Sequence, residues 1–123
     1  MELSAEYNEA AQILVVTVTG TYQRPHDGFE AQRFVIGAYA EYKCRRVLLD
    51  LTQATVIAGT MPTLETADPS PDVARELRKF SFAAVYAEIT ADERLFEDVA
   101  VNRGLRVRVF DTMEPAVEWL MRE

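Results

Sequence analysis

Two apolar runs on either side of one amphipathic segment constrain this chain more than any other feature. "ILVVTV" (Ile13 to Val18) and "VLLDL" (Val47 to Leu51) put apolar residues on both sides of an extended backbone, as strands covered on both faces do. Between them Phe34, Val35, Ala38 and Tyr42 recur at helical period. Strand, helix and strand in this order make a βαβ unit, whose strands are parallel and whose crossover is right-handed. The second run leads into "TQATVIAGT", which is too polar and irregular to continue the strand and reads as a threonine-rich loop.

The rest of the chain builds outward from that unit. Leu3, Ala5 and Tyr7 alternate with polar residues, and Asn8 and Glu9 turn the chain, so the first strand forms a hairpin with the Ile13 run, which Gly20 stops. Asp27 and Glu30 stand in capping-box spacing ahead of the first helix, which ends near Lys43. Pro62, Pro69 and Pro71 interrupt the next stretch, leaving a short helical turn before Asp68. Ser70 is a good N-cap with Pro71 at the first helical position, and that helix runs to about Lys79. "FSFAAVYAE" is a buried strand, and Thr90 with Glu93 forms a capping box for a helix carrying Leu95, Phe96, Val99 and Ala100, closed by Gly104. Leu105 to Phe110 alternates strictly, with Arg106 and Arg108 on one face, and belongs at a sheet edge or under an open groove. Asp111 or Thr112 caps a last helix whose Met113, Ala116, Val117 and Leu120 face inward. The order β-β-α-β-α-β-α-β-α is an α/β fold: a single-layer mixed sheet of five strands, the N-terminal hairpin antiparallel and the rest mainly parallel, in one domain over residues 1–123.

The charge excludes some partners. A net −7 repels phosphate backbones and anionic lipid, so neither nucleic acid nor membrane insertion is expected, and no run approaches the ~20 apolar residues of a membrane span. The single cysteine, Cys44, makes no internal disulfide, and the first residues carry glutamates where a signal peptide needs cations; both point to the cytoplasm.

In open α/β sheets ligands sit beyond the carboxyl ends of the strands. Those ends deliver Tyr22, Arg24 and His26, then Thr52, Thr55 and Thr60, then Glu88 and Thr90, then Asp111. One base, one cation, hydroxyls and carboxylates on one rim make a polar site for a ligand or partner, although such residues serve equally as caps and turns. No catalytic set accompanies them: His26 is the one histidine and nothing resembles a nucleophile elbow. One Cys and one His give no zinc-type spacing, and the scattered glycines match no nucleotide fingerprint, so neither metal nor cofactor is expected. Lys43, Arg45 and Arg46 favour a Cys44 thiolate while the helix C-terminus opposes it, leaving an unremarkable thiol. Arg103, Arg106 and Arg108 are a positive cluster that salt bridges to neighbouring glutamates would satisfy.

Three stretches, "RRVLLDLT", "VAVNRGLRVRVF" and "EPAVEWL", together with the hairpin strand "ILVVTVTG", resemble the STAS domain, the fold of the anti-sigma-factor antagonists and their bacterial SpoIIAA-like relatives of unassigned function. The resemblance covers most of the chain and rests on apolar, structural motifs. It implies a non-enzymatic regulatory or protein-interaction module. In the antagonists a "DSSG"-like loop after the third strand is phosphorylated on serine, and counting from Asp50 puts Thr60 at that place. Ala58, Gly59 and Met61 replace the acid, the first serine and the glycine of the motif. The partner is expected to be another protein or a second copy, a homodimer being one way to cover an antiparallel edge. The alternative is a small-molecule or lipid-binding carrier of the Sec14-like type, its cavity lined by Phe29, Phe34, Tyr39 and Tyr42, which core packing explains equally well. A chain of about 120 residues leaves little room for a lipid once its core is filled.

Overall fold

The computed structural model describes residues 1–123. The long apolar run forms β2 (Ile13–Gln23), paired antiparallel with β1 (Glu2–Asn8) through a turn at Ala11, whose N–H donates to Asn8 Oδ1. Helix α1 (His26–Tyr42) then returns the chain to β3 (Arg46–Leu51), and β2 and β3 are parallel with Leu14 opposite Val47. Beyond β3 come β4 (Ala54–Ile57), α2 (Thr60–Ala67), α3 (Pro71–Leu77), β5 (Ser81–Tyr86), α4 (Ala91–Asn102), β6 (Arg106–Phe110) and α5 (Met113–Met121). The sheet order is β1-β2-β3-β5-β6, parallel throughout except at β1, with β4 paired to β2 off that path.

The sixth strand corrects the reading of residues 52–60 as loop. Asp50 explains it: its Oδ1 accepts from Thr52 N (3.0 Å) and from Thr52 Oγ1 (2.6 Å), bending the chain out of β3. The chain then resumes along the same strand, β2. Leu14 faces Val47 but Gly20 faces Ala54, so one residue has been inserted, as in a bulge. Gly20 has φ +79°, which an L side chain rarely adopts. The result carries β4 past the end of β3 and sets α2 beyond the sheet.

Each apolar run divides between two faces. Ile13, Leu48, Ala83 and Val85 pack under Ala116 and Leu120 of α5. Leu14, Val16, Val47 and Phe82 pack on the other face with Val35 of α1, Leu77 of α3 and Ala100 of α4. All six residues of β5 are buried, which is why its sequence shows no alternation. β6 is an edge strand, as its two arginines require, and Glu97 of α4 covers part of that edge by accepting the Val109 N–H (2.7 Å).

Two expected capping boxes do not form. Pro25, not Asp27, is the N-cap of α1, and Asp27 Oδ2 instead accepts from Gln23 N (2.8 Å). Thr90 and Glu93 meet side chain to side chain. The turn expected before Asp68 is the eight-residue α2, with Gly59 (φ +137°) at its N-cap and Thr60 as its first helical residue. Cys44 is buried in the core, its Sγ near the carbonyls of Gln12 and Arg46.

The two glycines of α1 are in opposite situations. A Cβ on Gly28 would lie 2.5 Å from Thr66 Cγ2, whereas one on Gly37 meets nothing. Gly37→Ala should therefore stabilise the protein by up to about 1 kcal/mol through helix propensity, and Gly28→Ala should destabilise it by about 1–3 kcal/mol through overpacking. Urea unfolding checks both, and Thr66→Ser should relieve the Gly28→Ala defect.

Candidate functional site

The period-two alternation of β2 continues inward past its glycine, so that after Val16 and Val18 the next buried residues in phase are Tyr22 on the strand and Arg24 in the turn just beyond its end. The Arg24 side chain is wholly buried. A charge there requires a partner and saturating hydrogen bonds. Glu93 of α4 supplies the charge: Arg24 Nη1 donates to Glu93 Oε2 (3.3 Å) and to Thr63 Oγ1 of α2 (3.2 Å). Nη2 donates to the Tyr86 hydroxyl at the end of β5 (3.1 Å). The rings of Tyr22, Tyr86 and Phe96 surround the guanidinium at 5.9, 5.9 and 5.7 Å. Arg24 Nε is buried with no partner. On the outer side the Thr90 hydroxyl donates to Glu93 Oε2 (2.9 Å). One side chain thus joins the end of β2, the end of β5, α2 and α4.

The environment keeps the phenols neutral. Burial pushes Tyr22 far above the ordinary tyrosine range, with Tyr86 adding to it and Arg24 opposing. Tyr86 is raised in the same way by burial, against Arg24. Burial works against the Arg24 charge, but Tyr86, Tyr22 and Glu93 outweigh it and hold the guanidinium above its ordinary value.

The rim residues named from the sequence separate into two groups. Tyr22 and Arg24 belong to this buried centre, while His26, Thr55, Thr60 and Glu88 are exposed and Thr52 is half-buried in its contact with Asp50. They share one end of the sheet without converging on one pocket. Thr63, Tyr86, Glu93 and Phe96, which complete the centre, were not among them. Their signal was positional: Glu93 and Ala100 are the buried residues of α4, so Glu93 stands on that helix's inward stripe. The arginine cluster is satisfied differently from expectation: Arg103 pairs with Asp68 (3.4 Å), Arg106 donates to Ser81 Oγ (3.3 Å), and Arg108 lies over Phe110.

The segment that adjoins the centre exposes two large apolar side chains. Ile57 ends β4 and Met61 lies in the first turn of α2; they are 46% and 63% exposed. Beneath, between the sheet and α1, lies a cavity of ≈ 60 Å³ lined mainly by apolar side chains, among them Val18, Val35, Leu51 and Phe96. Its polar members include Gln32, whose Nε2 donates to Thr66 O (2.9 Å) and whose Oε1 is buried without a partner. No helix is long and apolar enough to cross a membrane. His26, Asp27 and Glu30 bring donor atoms within 4.8 Å of one another on the first turn of α1, at the helix end whose dipole disfavours a cation.

No protein-family model and no curated protein matches the sequence. Solved structures do. An uncharacterised protein of the DUF3478 family from Shewanella loihica PV-4, with a SpoIIAA-like fold, is similar over 97% of this chain and 92% of its own, at TM-score 0.58 and 14% identity. The anti-sigma factor antagonist SpoIIAA in its unphosphorylated form is similar over 98% of both chains, at TM-score 0.56 and 11% identity. This chain has the SpoIIAA-like fold. The expected α/β class, the antiparallel hairpin and the parallel remainder of the STAS-type sheet are therefore those of the molecule, with β4 added.

The Arg24 centre makes alkaline pH its test. Because the folded-state pKa values of Tyr22 and Tyr86 lie above the unfolded value near 10, the folded state holds protons that the unfolded state releases. Their contribution is complete below about pH 10 and is lost as pH rises from there toward the folded values. Tyr22 and Tyr86 should ionise only on unfolding, as followed by tyrosinate absorbance together with circular dichroism. Ionisation of Tyr22 and Tyr86 while the fold persists would contradict the burial of these phenols.

Proposed function

We propose that this protein is a non-enzymatic regulatory module of the STAS type, acting in the cytoplasm by docking another protein on the rim formed by β4 and the start of α2. The observation that carries the reading is the exposure of Ile57 and Met61 on either side of Gly59. Apolar side chains this exposed, on a segment held in place from below, are what a protein interface uses as its centre. The segment is held because Ile57 O accepts the Arg24 N–H (3.0 Å) and Thr63 receives the Arg24 guanidinium. An anti-sigma factor antagonist, which acts through another protein, has the same fold.

Thr60 lies between Ile57 and Met61 and is exposed. A phosphoryl group on its hydroxyl would set a dianion into the apolar contact and oppose docking, so this rim is where the switch of the antagonists would act on this chain. The internal cavity supports the docking reading over lipid carriage: ≈ 60 Å³ is far below the roughly 300–1,000 Å³ of ligand pockets.

A photo-crosslinking side chain placed at position 61, in cells that make the protein, should capture a discrete partner, while the same group at exposed Val101 on α4 captures none. Ile57→Asp should abolish the crosslink from position 61 with the fold intact by circular dichroism. Equal capture at positions 61 and 101, or capture indifferent to Ile57→Asp, would refute docking on this rim.

A further inference from the structure

The cations of this molecule gather at one end, whereas its carboxylates occupy both: Glu9, Glu41 and Glu76 lie at the cation-rich end, and exposed Arg33 follows Glu30 on α1. Around the rim stand Asp27 and Glu30 on the first turn of α1, Glu65 on α2, and Glu88 and Asp92 at the entry to α4. None of these five carboxylates has a salt bridge. Arg24 is cancelled within the core by Glu93, and Arg94 faces Glu97 (4.0 Å). The cations lie at the opposite end, where the connectors entering β3, β5 and β6 carry Lys43, Arg45, Arg46, Lys79, Arg103 and Arg106. This follows from topology: parallel strands deliver all their carboxyl-end connectors to one edge and all their amino-end connectors to the other.

The rim therefore combines an apolar centre at Ile57 and Met61 with an unneutralised acidic margin. A groove beside it, between α1 and α2, is lined by half-buried Phe29 and Leu64 and by exposed Glu65 and Asp68, of which Asp68 is paired with Arg103. Resting on the docking reading above, we infer that the partner presents a basic amphipathic segment, apolar side chains for the centre and Lys or Arg for the margin. An acidic partner would meet five like charges, and an uncharged one would leave them unpaired in a drying interface. Complementary charge raises the association rate and makes it salt-sensitive.

The probes are two synthetic amphipathic peptides with leucine at helical spacing, one with lysine and one with glutamate at the remaining positions, each titrated into isotope-labelled protein and followed by amide NMR. The Leu/Lys peptide should shift amides of residues 57–65 and 88–94, more weakly at high salt. Its affinity should fall at least tenfold in Glu65→Lys/Glu88→Lys and stay within twofold in Glu9→Lys/Glu118→Lys, which changes the net charge equally at exposed sites away from the rim. Circular dichroism verifies both variants. Shifts spread over the surface, or equal loss in the two variants, would reduce the binding to net charge and overturn the inference. Binding of the Leu/Glu peptide at the rim would also overturn it while leaving the docking face standing. Crosslinking from position 61 decides that face independently.

Discussion

A guanidinium with no solvent exposure is the constraint on which this structure depends. Arg24 is carried inward by the alternation of β2, and once buried it needs a carboxylate and several acceptors. Glu93, Thr63 and Tyr86 come from three other elements. Removing one member of such a buried pair costs about 3–5 kcal/mol, a large share of a small domain's stability. The pair does not make the fold stable so much as it makes one arrangement of α2 and α4 the acceptable one. An apolar substitute for both residues would also pack, but nothing in it would require α2 and α4 to meet at one atom.

The surface above inherits that arrangement. Asp50 bends the chain out of β3, one inserted residue lets β4 resume pairing with β2, and Gly59 opens α2 beyond the sheet. Thr63, one turn into α2, then reaches back to Arg24. The exposed Ile57 and Met61 are thus fixed by buried contacts on both sides of the loop that joins them. A rigid platform of this kind would lose little entropy in the docking proposed for it.

Much of the architecture was legible because it rests on apolar pattern. The β2 and β3 runs, the stripe of α1, the Ser70–Pro71 helix start and the arginine-bearing edge strand stand where periodicity and capping chemistry put them. The resemblance in "RRVLLDLT" and "EPAVEWL" pointed to the fold that the solved structures share. What failed were local polar rules. Asp27, Glu30, Thr90 and Glu93 have capping-box spacing, but Asp27 accepts from the Gln23 N–H just ahead of the helix and distant Arg24 takes Glu93. β4 was hidden because its pairing depends on a side-chain turn and a one-residue insertion, neither of which leaves a hydrophobic signal. Of the candidate site, Tyr22 and Arg24 could be named by their position after β2. Their burial was readable only by carrying the alternation past Gly20, and Glu93 only by setting it on the stripe of Phe96 and Ala100.

The central claim is that the buried ion pair, rather than general core packing, fixes the docking rim. Hydrogen exchange of the Glu93→Gln protein measures this most directly, since the substitution keeps shape and removes charge. Amides of α2 from Thr63 to Ala67, whose first bond runs from Thr63 N to Gly59 O, should lose protection by tenfold or more beyond any global change. Those of β3 and β5 should fall only with global stability. Protection lost evenly across sheet and helices, or retained in α2, would contradict it.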